Sequence, residues 1–171
     1  MVHLKNVEVY TPEKIPEELA LFGVTFFRSE DGVDFYEALK EMKEDTVKVL
    51  YSDGVVTGFS TDASSLYPAG ASLIEVPAKK VPDDLALGQK YLFDPKTLKF
   101  DINPEYITRD LDAQKQRLLA VANEKIAQYQ DKVDVESATK GEVMALKNWK
   151  AYRIKVREAT DAAALPKQPR V

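Results

Sequence analysis

Three aspartates sit where paired carboxylates could do chemistry. Asp31 and Asp34 bracket a glycine in "SEDGVDFYE", and Asp62 stands in the hydroxyl-rich "STDASSLYPAG", Ser60 to Gly70. Two carboxyls roughly 5–10 Å apart, one with a raised pKa, are what a glycosidase needs, so a carbohydrate-active enzyme or a glycan-binding accessory is one reading of the chain. The competing reading is structural. Asp-Gly pairs make tight turns, and Ser, Thr and Asp side chains bond nearby backbone N–H groups in capped loops. Ser64 and Ser65 have no partner that would make either a nucleophile: the chain has no cysteine and a single histidine, His3. That composition removes disulfides, thiol nucleophiles, His-based metal sites and a Ser–His–Asp triad. The glycine-rich phosphate-binding motifs and the D-x-D-x-D-G calcium loop are also missing from the sequence. The residues therefore imply no cofactor, no metal and no catalytic group.

The elements that must carry these residues divide into two kinds. Residues 1–104 hold 11 Lys/Arg against 18 Asp/Glu, and residues 105–171 hold 13 against 10. An acidic front and a mildly basic rear suggest two units with different surfaces. Neither imbalance carries the dense basic patch of a nucleic-acid binder. No apolar run approaches the roughly 20 residues of a membrane helix, and the start lacks the apolar stretch of a secretion signal. The expectation is a protein of the cytoplasm, with neither nucleic acid nor membrane as partner.

In the front, "VTFFRSEDGVDFYEAL" and "TVKVLYSDGVVTGF" each place apolar residues on both sides of an Asp-Gly pair, which reads as two hairpins. Alternation in the second puts Val47, Val49 and Tyr51 on one face and Thr46, Lys48 and Leu50 on the other. "SLIEVP", Ser72 to Pro77, is a third strand, and "KYLFDPKTLKF" forms a further pair turning at Asp94-Pro95. Pro104 closes the region.

In the rear, Leu111, Leu118, Ala122, Ile126, Tyr129 and Val133 recur at helical spacing, predicting a helix over 108–132. Thr139 followed by Glu142 is a capping box before a second helix over 140–158, whose stripe is Ala145, Trp149, Tyr152 and Val156 with Val143 and Leu146 alongside. A short connection makes the two an antiparallel hairpin, followed by an extended tail with Pro166 and Pro169. Trp149, the only tryptophan, lies on the apolar stripe, so it reads first as packing within the chain or between copies, and second as a partner contact. The fold class is α+β: a small antiparallel β-rich domain over 1–104, then a helical hairpin over 105–171.

"ATKGEVMALKNWKAYRIKV" resembles the C-terminal signature of phage tail fibre assembly proteins, an A-T-x-x-E opening followed by L-x-x-W-x-x-Y-R and an aliphatic position. Ala138, Thr139, Glu142, Leu146, Trp149, Tyr152, Arg153 and Val156 take those places. The family tail W-P-x-x-P is here "LPKQP", with Leu165 in place of the tryptophan. "HLKN", "SEDGVDFYE", "DTVKVLYSDGVV" and "TDASSLYPAGASLIEVP" are similar to the Mu-like branch of that family. The resemblance implies a non-catalytic chaperone in the bacterial host cytoplasm. It would bind the C-terminal part of a trimeric tail fibre protein, assist its folding and trimerisation, and in some members remain at the fibre tip. On that footing the aromatics Phe26, Phe27, Phe35, Tyr36, Tyr51 and Phe59 are the candidate fibre contacts of the front. Half of any such strand must face its own core. Thr139, Glu142, Leu146, Trp149, Tyr152 and Arg153 are the structural motif of the rear, which supports client folding or self-association into a homo-oligomer.

Overall fold

The computed structural model describes residues 1–15 and 23–169; Arg170 and Val171, the end of the expected tail, lie outside them. The chain divides into two compact units, Met1–Tyr106 and Ile107–Val171. The class is α+β as the sequence predicts: an antiparallel sheet earlier in the chain and a pair of helices later.

Among the described residues the strands of the first unit are β1 His3–Leu4, β2 Glu8–Tyr10, β3 Phe26–Arg28, β4 Thr46–Ser52, β5 Val55–Ser60, β6 Ser72–Pro77, β7 Tyr91–Asp94 and β8 Lys99–Ile102. Six of them form one antiparallel sheet in the order β1-β6-β4-β5-β7-β8, while β2 and β3 form a two-stranded ribbon. The β4–β5 turn at Asp53-Gly54 has positive φ at both central residues, 50° and 75°, the geometry whose twist suits a two-residue hairpin. Leu50 stands opposite Gly58 and Tyr51 opposite Val56, so Thr57 is the extra residue of a bulge. Gly58 is glycine for a packing reason: a Cβ there would sit 3.2 Å from Leu50 Cδ1.

The first expected hairpin does not form as such. The turn is present, with Gly32 at φ 86° and Val33 N–H bonded to Ser29 Oγ at 3.0 Å. Beyond it, the second strand shrinks to a single bridge, Arg28 to Asp34. Asp34 Oδ1 then accepts the Glu37 N–H at 3.0 Å and caps a short helix, α1, Phe35–Leu39. A side chain that can cap a helix competes with strand continuation, and here the cap wins. β3 pairs with β2 instead, with Val9 opposite Phe27.

The central strand β4 is buried on both faces. Leu50 joins one core with Leu4, Val7, Phe27, Phe35 and Leu73; Val49 and Tyr51 join the other with Val56, Ile74, Val76 and Phe93. Two charged side chains, directly opposite on β4 and β6, are buried with them: Lys48 and Glu75. Glu75 accepts from Val2 N–H and Lys43 N–H, both at 2.6 Å, and from the Thr46 hydroxyl at 3.0 Å. Lys48 Nζ donates to the carbonyls of Lys43, Thr46 and Thr61. The pair thus pins residue 43 and the chain start onto the sheet. Burial alone would push the Glu75 carboxyl up, but the hydrogen bonds from Val2, Lys43 and Thr46 outweigh it and hold it below its ordinary value.

The two expected helices are α2, Pro104–Asp134, whose first three residues belong to the first unit, and α3, Lys140–Glu158, in the second. Of these, α2 starts four residues earlier than its periodicity indicates. Pro104 does not end the front but opens the helix, since proline lacks only an N–H that the first turn leaves unbonded anyway. Asn103 Oδ1 accepts the Glu105 N–H at 3.0 Å and caps it. The tail is not wholly extended: Ala162–Ala164 form a 3₁₀ turn capped by Asp161, whose Oδ1 accepts the Ala164 N–H at 2.9 Å.

Replacing Glu75 with alanine strands several buried donors and is expected to destabilise the chain by about 3 kcal/mol in urea unfolding. Because the folded-state pKa of Glu75 is lowered, its contribution is present at neutral pH and fades as pH falls through that pKa; the alanine variant should show a correspondingly weaker acid dependence.

Candidate functional site

The three aspartates that could have paired are each committed to local structure. Asp31 accepts the Ser29 hydroxyl. Asp34 caps α1 and accepts the Tyr10 hydroxyl at 2.6 Å. Asp62 caps the 3₁₀ turn Ala63–Ser65, accepting the Ser64 hydroxyl at 2.7 Å and its N–H at 2.9 Å. The Ser29 hydrogen bond holds Asp31 below the usual carboxylate range, and the Ser64 bonds do the same for Asp62. An acid catalyst needs the opposite shift. An open cleft of about 540 Å³ lies beside Asp62, with Lys48 in its lining, but the Lys48 ammonium spends its N–H groups on three carbonyls.

The front aromatics separate by burial. Phe27, Phe35 and Tyr51 are 4%, 2% and 9% exposed and belong to the two cores: strand alternation turns Phe27 and Tyr51 inward, and Phe35 opens α1 with its ring in the core. Phe59 is half-buried against the second core. Tyr36 is exposed and Phe26 half-buried, their rings 6.0 Å apart and edge to face, with Tyr10, also half-buried, packed on Phe26 at 6.4 Å. Arg28 lies 5.2 Å over the Tyr10 ring while donating two hydrogen bonds to Glu8 Oε1. Tyr67, 65% exposed, stacks edge-on against Phe27 at 4.9 Å. Val9 and Val33 are exposed beside them in sequence. The sequence reading missed Tyr10 and Tyr67: the alternation of Val7, Glu8, Val9 and Tyr10 was the available signal for the former, while the turn before Pro68 hid the latter.

The rear motif builds a closed seam. Thr139 Oγ1 accepts the Glu142 N–H at 3.2 Å and Glu142 Oε2 accepts the Thr139 N–H at 2.8 Å, so the capping box is complete. Lys132, at the end of α2, donates to the same Glu142. With the Thr139 bonds, that contact lowers the Glu142 pKa to about 2. At the far end Lys115 Nζ crosses from α2 to donate to the carbonyls of Arg157 and Ala159, each at 2.9 Å, which caps the C-terminus of α3. Between the two clamps Leu146, Trp149, Tyr152 and Val156 form one buried cluster with Ala122 and Ile126. Leu165 from the tail packs on it. Trp149 and Tyr152 are each 3% exposed and meet edge to face at 5.4 Å. Arg153 reaches Asn123 Oδ1 at 3.1 Å. The Trp149 Nε1 and Tyr152 hydroxyl have no hydrogen-bond partner among the described residues, and burial pushes the Tyr152 pKa up.

Comparison with known proteins resolves what this arrangement belongs to. Residues 26–170 match the family model described as "Caudovirales tail fibre assembly protein, lambda gpK". The chain belongs to the tail fibre assembly protein family. Relatives extend the match over nearly the whole length. Tail fiber assembly protein U of Escherichia phage Mu is 31% identical over 164 residues, 91% of each chain. The probable tail fiber assembly protein of Escherichia phage P2 is 32% identical over 164 residues, again 91% of each. Tail fiber assembly protein U' of Escherichia phage P1 is 28% identical over 171 residues, 97% of this chain and 96% of its own. The family match covers the α3 seam and all of the front aromatics named above, Tyr10 excepted.

Trp149→Ala removes the centre of the seam and is expected to cost about 3–5 kcal/mol in thermal or urea unfolding; Thr139→Ala is expected to cost about 1 kcal/mol through the lost cap. Glu142 is lowered from 4.5 to about 2 in the folded chain, so its stabilising effect is complete above pH 4.5 and is lost as pH falls towards 2. Far-UV circular dichroism across that window should show helix loss in the wild type that Glu142→Gln attenuates.

Proposed function

We propose that this protein is a non-catalytic chaperone that binds the C-terminal region of a phage or prophage tail fibre protein and assists its folding into a trimer. The observation that carries this reading is the near-full-length relationship to three phage proteins named for tail fibre assembly, with both units included in the match. Physical chemistry supplies a reason for such a helper. Chains that intertwine into a trimeric fibre expose unpaired strand edges and apolar surface until the trimer closes, and such edges invite wrong pairing. A binder that covers them holds the chains apart until register is found.

The first unit is the proposed fibre-binding unit. Its partly exposed cluster of Phe26, Tyr36 and Tyr10, and the exposed Tyr67, offer rigid aromatic area with few rotatable bonds, the kind of residue that dominates interface energetics. Phe59 contributes at its exposed edge. The helical unit supports client folding or self-association. One chaperone per fibre chain, hence three per trimer, is the stoichiometry that threefold symmetry favours. The work is done in the bacterial host cytoplasm.

The carbohydrate-enzyme alternative loses support from the committed aspartates described above. The test is binding of the full chain to a C-terminal fragment of the tail fibre protein from the same genome, by interferometry. Tyr36→Asp with Tyr67→Asp, at the two exposed aromatics, is expected to weaken binding by about 3 kcal/mol or more while leaving the unfolding transition close to wild type. Undiminished binding by that variant would remove the cluster from the interface. Hydrolysis of host surface glycan that disappears in Asp62→Asn would favour the enzyme reading instead.

A further inference from the structure

The six-stranded sheet has two ends, and they are finished differently. At one, β1 is two residues long, and just beyond it the Lys5 carbonyl accepts the Glu30 N–H at 2.9 Å. At the other, β8 is four residues long and pairs only with β7. The register fixes which backbone groups of β8 are used. Asn103 N–H bonds to the Lys90 carbonyl at 2.9 Å. Hydrogen-bonded pairs alternate along an antiparallel ladder, so Asp101 and Lys99 also bond inward, opposite Leu92 and Asp94. The N–H and C=O of Phe100 and Ile102 therefore point away from β7, and among the described residues nothing bonds to them.

An open edge is a template for strand pairing, and proteins commonly guard it with charge. Here the guard is Lys99 and Asp101. They share the face opposite Phe100 and form an ion pair of 2.8 Å along the strand, with side chains 67% and 60% exposed. The order Lys99, Phe100, Asp101 matches itself. When a second copy is turned about a two-fold axis at Phe100, Phe100 meets Phe100, Lys99 meets Asp101, and Asp101 meets Lys99. The four charges then alternate at the corners of a square, and opposite charges across strands stabilise a pair. Phe100 exchanges both of its open backbone bonds with its counterpart. Ile102, 42% exposed, comes opposite Leu98 of the other copy, beside a cleft of about 330 Å³ lined by Val81, Pro82, Leu98 and Phe100. Sliding one copy by two residues keeps the open groups facing but sets Asp101 against Asp101, and like charges directly opposite repel. Charge thus selects one register.

We propose that β8 joins two copies of this chain edge to edge, antiparallel, about a two-fold axis at Phe100, so that their sheets become continuous. A second copy is favoured over an unrelated strand because its own Asp101 and Lys99 are the charges that match. A four-residue joint is small against the roughly 1,200 Å² of a stable complex, so the dimer forms and dissociates with concentration. A two-fold contact also closes on itself and does not grow into a filament. The joint belongs to the sheet unit and goes beyond the chaperone reading, since the free chain alone displays it.

The experiment is sedimentation of the full chain alone at concentrations up to about 1 mM. Wild type should pass from monomer to dimer as concentration rises. Lys99→Asp and Asp101→Lys each set like charges opposite one another twice in the joint, and each should raise the dimer dissociation constant about ten-fold or more. Both positions are exposed, so the melting temperature should stay at that of wild type. An equimolar mixture of the two variants should form the heterodimer. The doubly exchanged chain, Lys99→Asp with Asp101→Lys, should dimerise as wild type does. Wild type that stays monomeric throughout, or that forms a trimer, overturns the proposal. So does a dimer indifferent to either reversal, and so does a loss that neither mixing nor the double exchange repairs. Failure of the joint leaves the chaperone reading standing, because no fibre protein enters this measurement.

Discussion

A two-helix layer has one seam, and in the rear of this chain Trp149 fills it. Two helices and a tail are too few elements to bury a second apolar face, so Leu146, Trp149, Tyr152 and Val156 must all lie against Ala122 and Ile126. Everything else on α3 is surface by necessity. The clamps at the two ends, Lys132 to Glu142 and Lys115 to the last carbonyls of α3, hold the helices in register without adding apolar area. The motif residues Thr139, Glu142, Trp149 and Tyr152 therefore act by fixing the hairpin. The consequence for function is indirect: a rigid hairpin presents a fixed outer surface, and a partner that meets it loses little to ordering it.

The front obeys a different constraint. β4 is covered on both faces, an arrangement more usual in parallel sheets, and its antiparallel neighbours leave it a buried lysine opposite a buried glutamate. Neither charge is paired with the other directly. Backbone groups satisfy most of their hydrogen bonds, and Glu75 also lies 3.9 Å from the N-terminal ammonium, so the two buried charges hold both the segment around residue 43 and the chain start in place. The sheet is thereby a scaffold, and the aromatic surface sits on the ribbon of β2 and β3 and on α1, outside the six-stranded sheet.

Much of this was legible because local signals were strong and unopposed. Asp53-Gly54 between alternating apolar residues gave the central hairpin, "SLIEVP" gave β6 to the residue, and Thr139 with Glu142 gave the start of α3. Where the reading failed, two local rules competed. At Asp34, strand alternation met a helix cap and lost; at Pro104, a residue that ends strands also begins helices. β1 and β2 escaped because they are two and three residues long and Asn6 breaks the alternation with a φ of 45°. The candidate contacts were legible only as a set of aromatics. Period two says that half face inward, but not which half, until β3 is known to pair with β2.

The central claim is that the chain works by binding a fibre protein while that protein folds. Its most direct test is the yield of soluble, trimeric tail fibre in cells producing the fibre of the same genome with and without this chain. The account predicts that soluble trimer appears only, or overwhelmingly, in the presence of the chain, and that the two co-purify. Equal yields of native trimer in both cells would contradict it.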